Sequence, residues 1–407
     1  MTKKGRNVPN LRFPEFEGEW EVKSIGGHIK LISGYAFKGD EISEDENGIP
    51  LLRGINITEG RIRHNKEIDR YFRGNTDHLE KYFIREGDLV IGMDGSKVGK
   101  NVALIKKKDS GALLIQRVAR LRARDNSDIN FIYQNIYNSK FYKHVDIVNT
   151  SSGIPHISAE QINEYKIGFP TLSEQTKIAW FLSLIDERIR TQSKIINDLK
   201  TLKTTTAENI FSKELRFKDE NGNDFPEWEN MILGDIGDVK MCRRIFNDET
   251  SPTGEIPFFK IGSFGKEADA FISKELYLDY RKRFSFPKKG DILISAAGTI
   301  GRIVVYKGED AYYQDSNIVW IDNDNTKITN EFLYYILQIV KYNTEGGTIQ
   351  RLYNNILKST KFSGPSLSEQ TKIVNFLSSI DAKNDIEAEL LQKLEEQKKY
   401  LLQKMLV

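Results

Sequence analysis

From residue 178 onward, apolar positions recur at alternating steps of four and three: Ile178, Leu182, Ile185, Ile189, Ile196 and Leu199, with Gln192, Lys203, Thr206 and Ile210 in the same stripe. A second stripe runs through Ile373, Leu377, Ile380, Leu391, Leu394 and Leu401, with Asn384, Glu387, Lys398 and Met405 filling its other places. Alternating threes and fours sustained over several heptads describe a coiled-coil seam. Neither stretch contains glycine or proline. The pattern predicts two helices of about 40 residues, rods of roughly 60 Å, that pair antiparallel within one chain. Polar seam residues such as Gln192 and Asn384 are expected to fix the register at some cost in stability. The alternative is two helices that each pack on their own domain.

Both helices open on nearly the same words. Residues 170–186 read PTLSEQTKIAWFLSLID and residues 365–381 read PSLSEQTKIVNFLSSID, identical at 13 of 17 positions with a constant offset of 195. Thr171 to Glu174 and Ser366 to Glu369 have the form of a capping box, in which the glutamate reaches back to the cap. The duplication extends upstream. Leu11-Arg12-Phe13 and the patch from Trp20 are answered by Leu215-Arg216-Phe217 and the patch from Trp228. The buried-strand pattern GDLVIG at 87–92 is answered by GDILIS at 290–295, and the glycine turn at 95–99 by one at 298–301. The chain is therefore two similar halves, each a globular domain followed by a helix. Strands are expected at 102–105, 117–121, 303–306 and 318–321, and helices at 129–145 and 331–340. A short helix should follow the capping box at Ser158. Strands and helices interleave without a regular crossover period, which points to α+β domains with a curved mixed sheet and peripheral helices.

Composition adds limits. Charged residues make up 29% and hydrophobic residues 39% of 407, the balance of a soluble multidomain protein. No apolar run of about 18 residues is present for a membrane span, and the polar start is not that of a signal peptide. The single cysteine, Cys242, excludes an internal disulfide framework and fits a reducing cytoplasm. Enzyme chemistry is hard to find. Asp88, Asp94 and Lys97 lack the spacing of a metal nuclease, and Ala297 and Ile300 stand opposite Asp94 and Lys97 in the second half. The turn at 95–100 is one residue short of a phosphate loop and lacks its hydroxyl. The five histidines are scattered, so no metal site is expected.

The net charge of +2 is uninformative, but its distribution is not. Residues 97–124 hold nine basic side chains and one acid. Lys97, Lys100 and Lys106 belong to this run. Arg53, Arg61 and Arg63 lead a second, and Arg281, Lys282, Arg283 and Arg302 a third. Such clusters neutralise phosphates, and Arg, Asn and Gln read base edges. Two polar turns, 149–153 and 344–347, are candidate groove-entering loops. Ser151, Ser152 and His156 accompany the first turn, and Gln350, Arg351 and Asn354 the second. Thr299 lies in the second glycine turn. A binder of double-stranded DNA is the reading these residues favour. An enzyme with unfamiliar motifs and an adaptor whose ends bind proteins stay open.

Two globular units, each followed by a P-[ST]-L-S-E-Q-T-K-I helix, resemble the specificity subunit of type I restriction–modification systems over the whole chain. The resemblance implies target-recognition domains at 1–170 and 213–365, with spacer helices at 171–212 and 366–407 and a pseudo-twofold axis relating the halves. Each domain would read one half of a split, asymmetric DNA site, and the helices would set the distance between halves. The chain itself would be non-catalytic and carry no cofactor. S-adenosylmethionine, ATP and Mg would belong to two methyltransferase subunits and to the restriction and translocation subunits that join through them. A cytoplasmic location without membrane contact is implied.

Overall fold

The computed structural model describes residues 7–149, 155–342 and 351–407. Ser151, Ser152 and Gln350 lie outside the described residues, as do positions 150–153 and 344–347 of the two polar turns. Backbone contacts divide the chain into two compact units: residues 1–194 with 388–407, and residues 195–387.

Unit 1 opens with β1 (Glu21–Ser24) and β2 (Ile29–Ser33). Five short strands follow: β3 (Ile42–Ser43), β4 (Ile49–Leu52), β5 (Ile57–Thr58), β6 (Arg61–Ile62) and β7 (Tyr71–Phe72). The GDLVIG pattern forms β8 (Leu89–Gly92), buried at every position, as a strand covered on both faces must be. β9 (Val102–Leu104), β10 (Leu113–Leu114) and β11 (Val118–Ala123) complete two four-stranded sheets, ordered β2-β11-β8-β9 and β10-β4-β7-β3. β4 and β10 run parallel and the other pairs antiparallel. One of these two sheets is mixed and the other wholly antiparallel, where a single curved mixed sheet was expected.

The single helix expected at 129–145 is two: α1 (Ile129–Ile136) and α2 (Ser139–Val148). Asn138 takes an extended conformation and accepts a hydrogen bond from Lys140 N, starting a new helix where apolar periodicity continued unbroken. α3 (Ala159–Glu164) carries the reciprocal capping box, with Gln161 N donating to Ser158 Oγ (3.1 Å) and Ser158 N to Gln161 Oε1 (2.8 Å). β12 (Lys166–Phe169) returns to pair with β1 and leads into α4 (Leu172–Phe211).

Unit 2 repeats the plan. β13 (Glu229–Ile232), β14 (Gly237–Met241), β15 (Ile256–Phe259) and β16 (Phe271–Ile272) precede α5 (Lys274–Arg283), a helix that apolar periodicity does not reveal. β17 (Ile292–Ser295), β18 (Ile303–Val305), β19 (Tyr312–Tyr313) and β20 (Ile318–Asn323) give sheets ordered β14-β20-β17-β18 and β16-β15-β19. α6 (Asn330–Ile339), α7 (Asn354–Ser359) and β21 (Lys361–Gly364) lead to α8 (Leu367–Met405). Cys242 is a free buried thiol whose pKa burial pushes up to about 12.

The repeated helix opening does something other than box its cap. Thr171 Oγ1 and Ser366 Oγ accept from Glu174 N and Glu369 N, the expected first half of a box. The glutamate side chains turn the other way. Glu174, 1% exposed, receives Arg12 Nε and Nη2 at 2.8 Å each. Glu369, 0% exposed, receives Arg216 Nε (3.3 Å), Arg216 Nη2 (3.0 Å) and Trp228 Nε1 (3.2 Å). Next to them Gln175 accepts from Asp128 N and donates to Pro170 O, while Gln370 accepts from Thr329 N and donates to Pro365 O and Lys327 O. Each Ser-Glu-Gln thus fastens a helix start to the chain's entry into the unit and to the cap of a core helix.

Within each unit the start of one long helix lies antiparallel to the end of the other. In unit 1 Ile178, Leu182 and Ile185 share a core with Leu401 and Met405. In unit 2 Ile373 and Leu377 share one with Ala207 and Ile210. Every predicted seam position is buried or half-buried. Asp186 pairs with Lys398, and Asp381 with Lys203 at 2.6 Å, so the duplicated aspartates take equivalent lysines. Each lysine also sits over a tyrosine ring, Tyr137 and Tyr335 respectively.

Removing Arg12 leaves a carboxylate buried without its counter-ion, a loss of about 3 kcal/mol for a buried pair. Arg12→Ala should therefore speed amide exchange in β8 and leave β17 as it was. Glu174→Gln added to it should recover part of the loss.

Candidate nucleic-acid interface

Three turns of unit 1 line a cleft of about 570 Å³, and a fourth segment is tied to one of them. The first follows β4, where Arg53 N donates to Asn56 Oδ1 and Arg53 Nη1 to Ile68 O. The second is the glycine turn after β8. Gly95 and Gly99 there have φ of +96° and +80°, and a Cβ on Gly99 would lie 2.8 Å from Val145. The third enters β11 through Arg117, a non-glycine residue at φ +65°. The fourth is the segment before α3, tied to the glycine turn by a bridge between Asp94 and His156 and by Gly95 N donating to Pro155 O. The lining includes the cations Arg53, Arg63, Lys97 and Arg117 and the acids Glu59 and Asp94. Both acids are matched: Lys97 Nζ lies 3.0 Å from Glu59 and Arg117 Nη1 lies 3.0 Å from Asp94. Ile55, Asn101 and Gln116 complete a surface with apolar and amide groups beside the charges.

Unit 2 builds the same frame with other side chains. The turn after β15 is held by Lys260 N donating to Ser263 Oγ. The glycine turn has Gly298 and Gly301 at φ +65° and +78°, and a Cβ on Gly301 would lie 2.8 Å from Tyr342. Ser316, at φ +51°, turns the chain toward β20. Ala297 bridges Arg351 as Asp94 bridges His156.

The frame gathers some of the expected residues and not others. Arg53, Arg63 and Lys97 line the cleft of unit 1, with His156 bridged to Asp94 beside it; in unit 2 Arg351 is bridged to Ala297, next to the glycine turn that holds Thr299. Arg302 stands at the end of the second glycine turn, with Nη1 donating to Phe264 O. Lys100 lies just past the first glycine turn, over the Tyr142 ring. Arg61 is exposed on β6. Lys106 is elsewhere, beside Arg190 and Glu187 of α4, where burial first and then the charge of Arg190 lower its pKa. Arg281, Lys282 and Arg283 end α5, with Arg281 engaged to Asp310 and Arg283 to Asp279. Asn354 opens α7.

The basic run of 97–124 is less available than its count implies. Arg120 is 3% exposed and donates to Lys81 O, Arg122 pairs with Asp88, and Arg124 donates to Ile29 O. Asp88 accepts from Arg85 N as well, so the repeated Gly-Asp fixes a turn. Arg117 and Asp94 are 23 residues apart, so no local spacing reveals them as a pair. Their shared signal is that both differ from the residues at the matching places of unit 2. Among the described residues no group of three His, Cys, Asp or Glu is placed to hold a metal, and no helix is long and apolar enough to cross a membrane.

Residues 17–201 and 226–396 match the family described as type I restriction modification DNA specificity domain. The chain belongs to this family. A putative type I restriction enzyme specificity subunit of Haemophilus influenzae is 35% identical over 354 residues, 86% of this chain and 88% of that one. The type I restriction enzyme MjaVIII specificity subunit of Methanocaldococcus jannaschii is 26% identical over 98% of this chain and 94% of its own. The crystal structure of a type I restriction–modification S subunit from M. genitalium covers 98% of this chain and 99% of its own with a TM-score of 0.60 at 19% identity, and so shares the fold. As a type I specificity subunit the chain recognises DNA sequence and is non-catalytic. Subunits of this kind bind DNA and assemble with the other subunits of the system.

If the unit 1 cleft meets DNA, Lys97→Ala should weaken specific and random binding alike and lower the salt slope by about one. Lys106→Ala, beside α4, should leave the slope unchanged. Glu59→Gln should tighten binding to any sequence, most at low salt, in an electrophoretic shift titration.

Proposed function

We propose that this specificity subunit reads a split, asymmetric site, one half in each cleft, and directs adenine methylation and restriction by partner subunits to it. The observation that carries this reading is one backbone frame built twice with different side chains: Arg53, Asp94, His156 and Arg117 in one, Lys260, Ala297, Arg351 and Asn317 in the other. A shared frame holds each surface against the duplex in the same way, and unlike side chains read unlike bases. On this reading residues 1–170 and 213–365 are the recognition domains, and 171–212 and 366–407 are the helices that set the spacer.

The helices also carry the partner surface. Trp180 and Tyr400 in unit 1, and Leu202 and Ile386 in unit 2, are each more than half exposed on faces outside the seam. Exposed apolar side chains on charged helices are the composition of a protein interface. Two methyltransferase subunits, one on each unit, are the occupants this reading assigns.

Exchanging residues 14–165 for the matching segment of a relative should change one half-site and leave the other intact, as read by mapping methylated adenines. Both halves changing together would defeat the assignment. Four residues inserted after Lys194 and four after Glu387 should lengthen the spacer. At ~1.5 Å per helical residue and ~3.4 Å per base pair, the gain is about two base pairs, with reduced efficiency from the added twist. An unchanged spacer at full activity would show that the helices do not set the distance.

A further inference from the structure

Arg117 lies where the chain turns into β11. Its left-handed φ of +65° is one that a β-carbon disfavours, and it is held by Met93 N donating to Arg117 O at 2.9 Å. The side chain is held as well, through Nη1 to Asp94 Oδ2 at 3.0 Å. The side chain remains 60% exposed, and among the described residues its Nε and Nη2 have no hydrogen-bond partner. A guanidinium fixed at one nitrogen and open at the others can present two parallel donors, the pattern that matches guanine O6 and N7 in the major groove. A phosphate contact needs no such support, since a charge at the right distance suffices. An acid beside it would only repel the backbone. Asp94 therefore makes sense in this cleft as the group that aims Arg117.

The comparison with unit 2 points the same way. The bond that places Met93 N on Arg117 O recurs as Ala296 N on Asn317 O, and the bridge of Asp94 to His156 recurs as Ala297 to Arg351. Where the arginine gives way to Asn317, the aspartate gives way to Ala297. Groups that hold the frame, such as Asp88 and Asp291, stay the same in both units. A reader and its support change together when the base to be read changes.

We propose that Arg117 is a base-reading residue of the first half-site, directed at a guanine in the major groove, with Asp94 as its positioning residue. The assignment rests on the reading that the unit 1 cleft meets DNA. The test uses the full chain assembled with its methyltransferase partner and measures binding to the mapped site and to every single-base-pair change in the first half-site. Arg117→Lys keeps the charge and loses the fork. It should keep the salt dependence and lower discrimination at one G·C pair about ten- to a hundredfold, leaving other positions as they were. Arg117→Gly, which accepts a left-handed φ, should lose discrimination at the same pair. Asp94→Asn should lose part of it there and nowhere else. Full discrimination by Arg117→Lys, or an even loss across all positions, would overturn the proposal in favour of a phosphate or framework role. Lys97→Ala separates this from the wider reading. If it weakens binding while the Arg117 variants discriminate normally, the base assignment alone fails. If no variant in the cleft alters affinity or salt dependence, the cleft itself is not the DNA surface.

Discussion

A carboxylate without solvent contact at the start of a helix is tolerable when a cation and further donors meet it. Glu174 and Glu369 are in that position, and Arg12 and Arg216 answer them from the irregular segments that enter their units. The pairing is costly to break and of modest net worth when made, because desolvation of both charges offsets their attraction. Its effect is on arrangement. Arg12 also donates to Gly18 O and Glu17 O, and Arg216 to Phe225 O and Pro226 O, so each arginine gathers an otherwise irregular entry segment around the helix start. The neighbouring glutamines fix the cap of α1 or α6. The helix, the entry segment and the core helix thus have one relative placement, and the sheets are built on it.

The recognition surfaces stand apart from this fastening. In each unit their geometry is set by one glycine turn, one left-handed non-glycine residue, main-chain hydrogen bonds and a buried acceptor in the first turn, Asn56 or Ser263, none of which depends on what the exposed side chains are. That separation lets one framework present different chemistry. Arg53 can become Lys260 and Asp94 can become Ala297 with the turns in place, whereas Gly99 and Gly301 admit no side chain without displacing Val145 or Tyr342.

The long helices, the duplication and the order of elements were legible because each is a periodic or repeated signal. The stripe positions are buried or half-buried, and the Ser158 box closed as its residues require. The boxes at Thr171 and Ser366 did not close, because a short-range rule cannot see an arginine 162 or 153 residues upstream that offers the glutamate a stronger bond. The break between α1 and α2 was hidden by apolar residues on both sides of Asn138, which pattern-reading weighs more than a single cap. α5 lacks an apolar stripe, and Tyr277 is its buried residue. For the site, counting basic residues overstated the run at 97–124: an arginine on a central strand is spent on carbonyls and on Asp88, and linear sequence does not show which face it occupies. The acid in the cleft was discounted for the opposite reason, since its meaning depends on Arg117, a partner brought close by two turns.

Unit 1 joins residues 1–194 to residues 388–407. Leu401 and Met405 complete the core that Ile178 and Leu182 begin, and Leu11 N donates to Lys404 O. During synthesis, therefore, the first unit emerges from the ribosome early but lacks part of its interior until residues 388–407 have been made. Contacts this far apart in sequence close late and slowly. The apolar stripe at the start of α4 stays open meanwhile, and transiently exposed apolar surface of this kind favours aggregation during folding. A chain shortened by its last 20 residues would lose its first unit's packing before its second's.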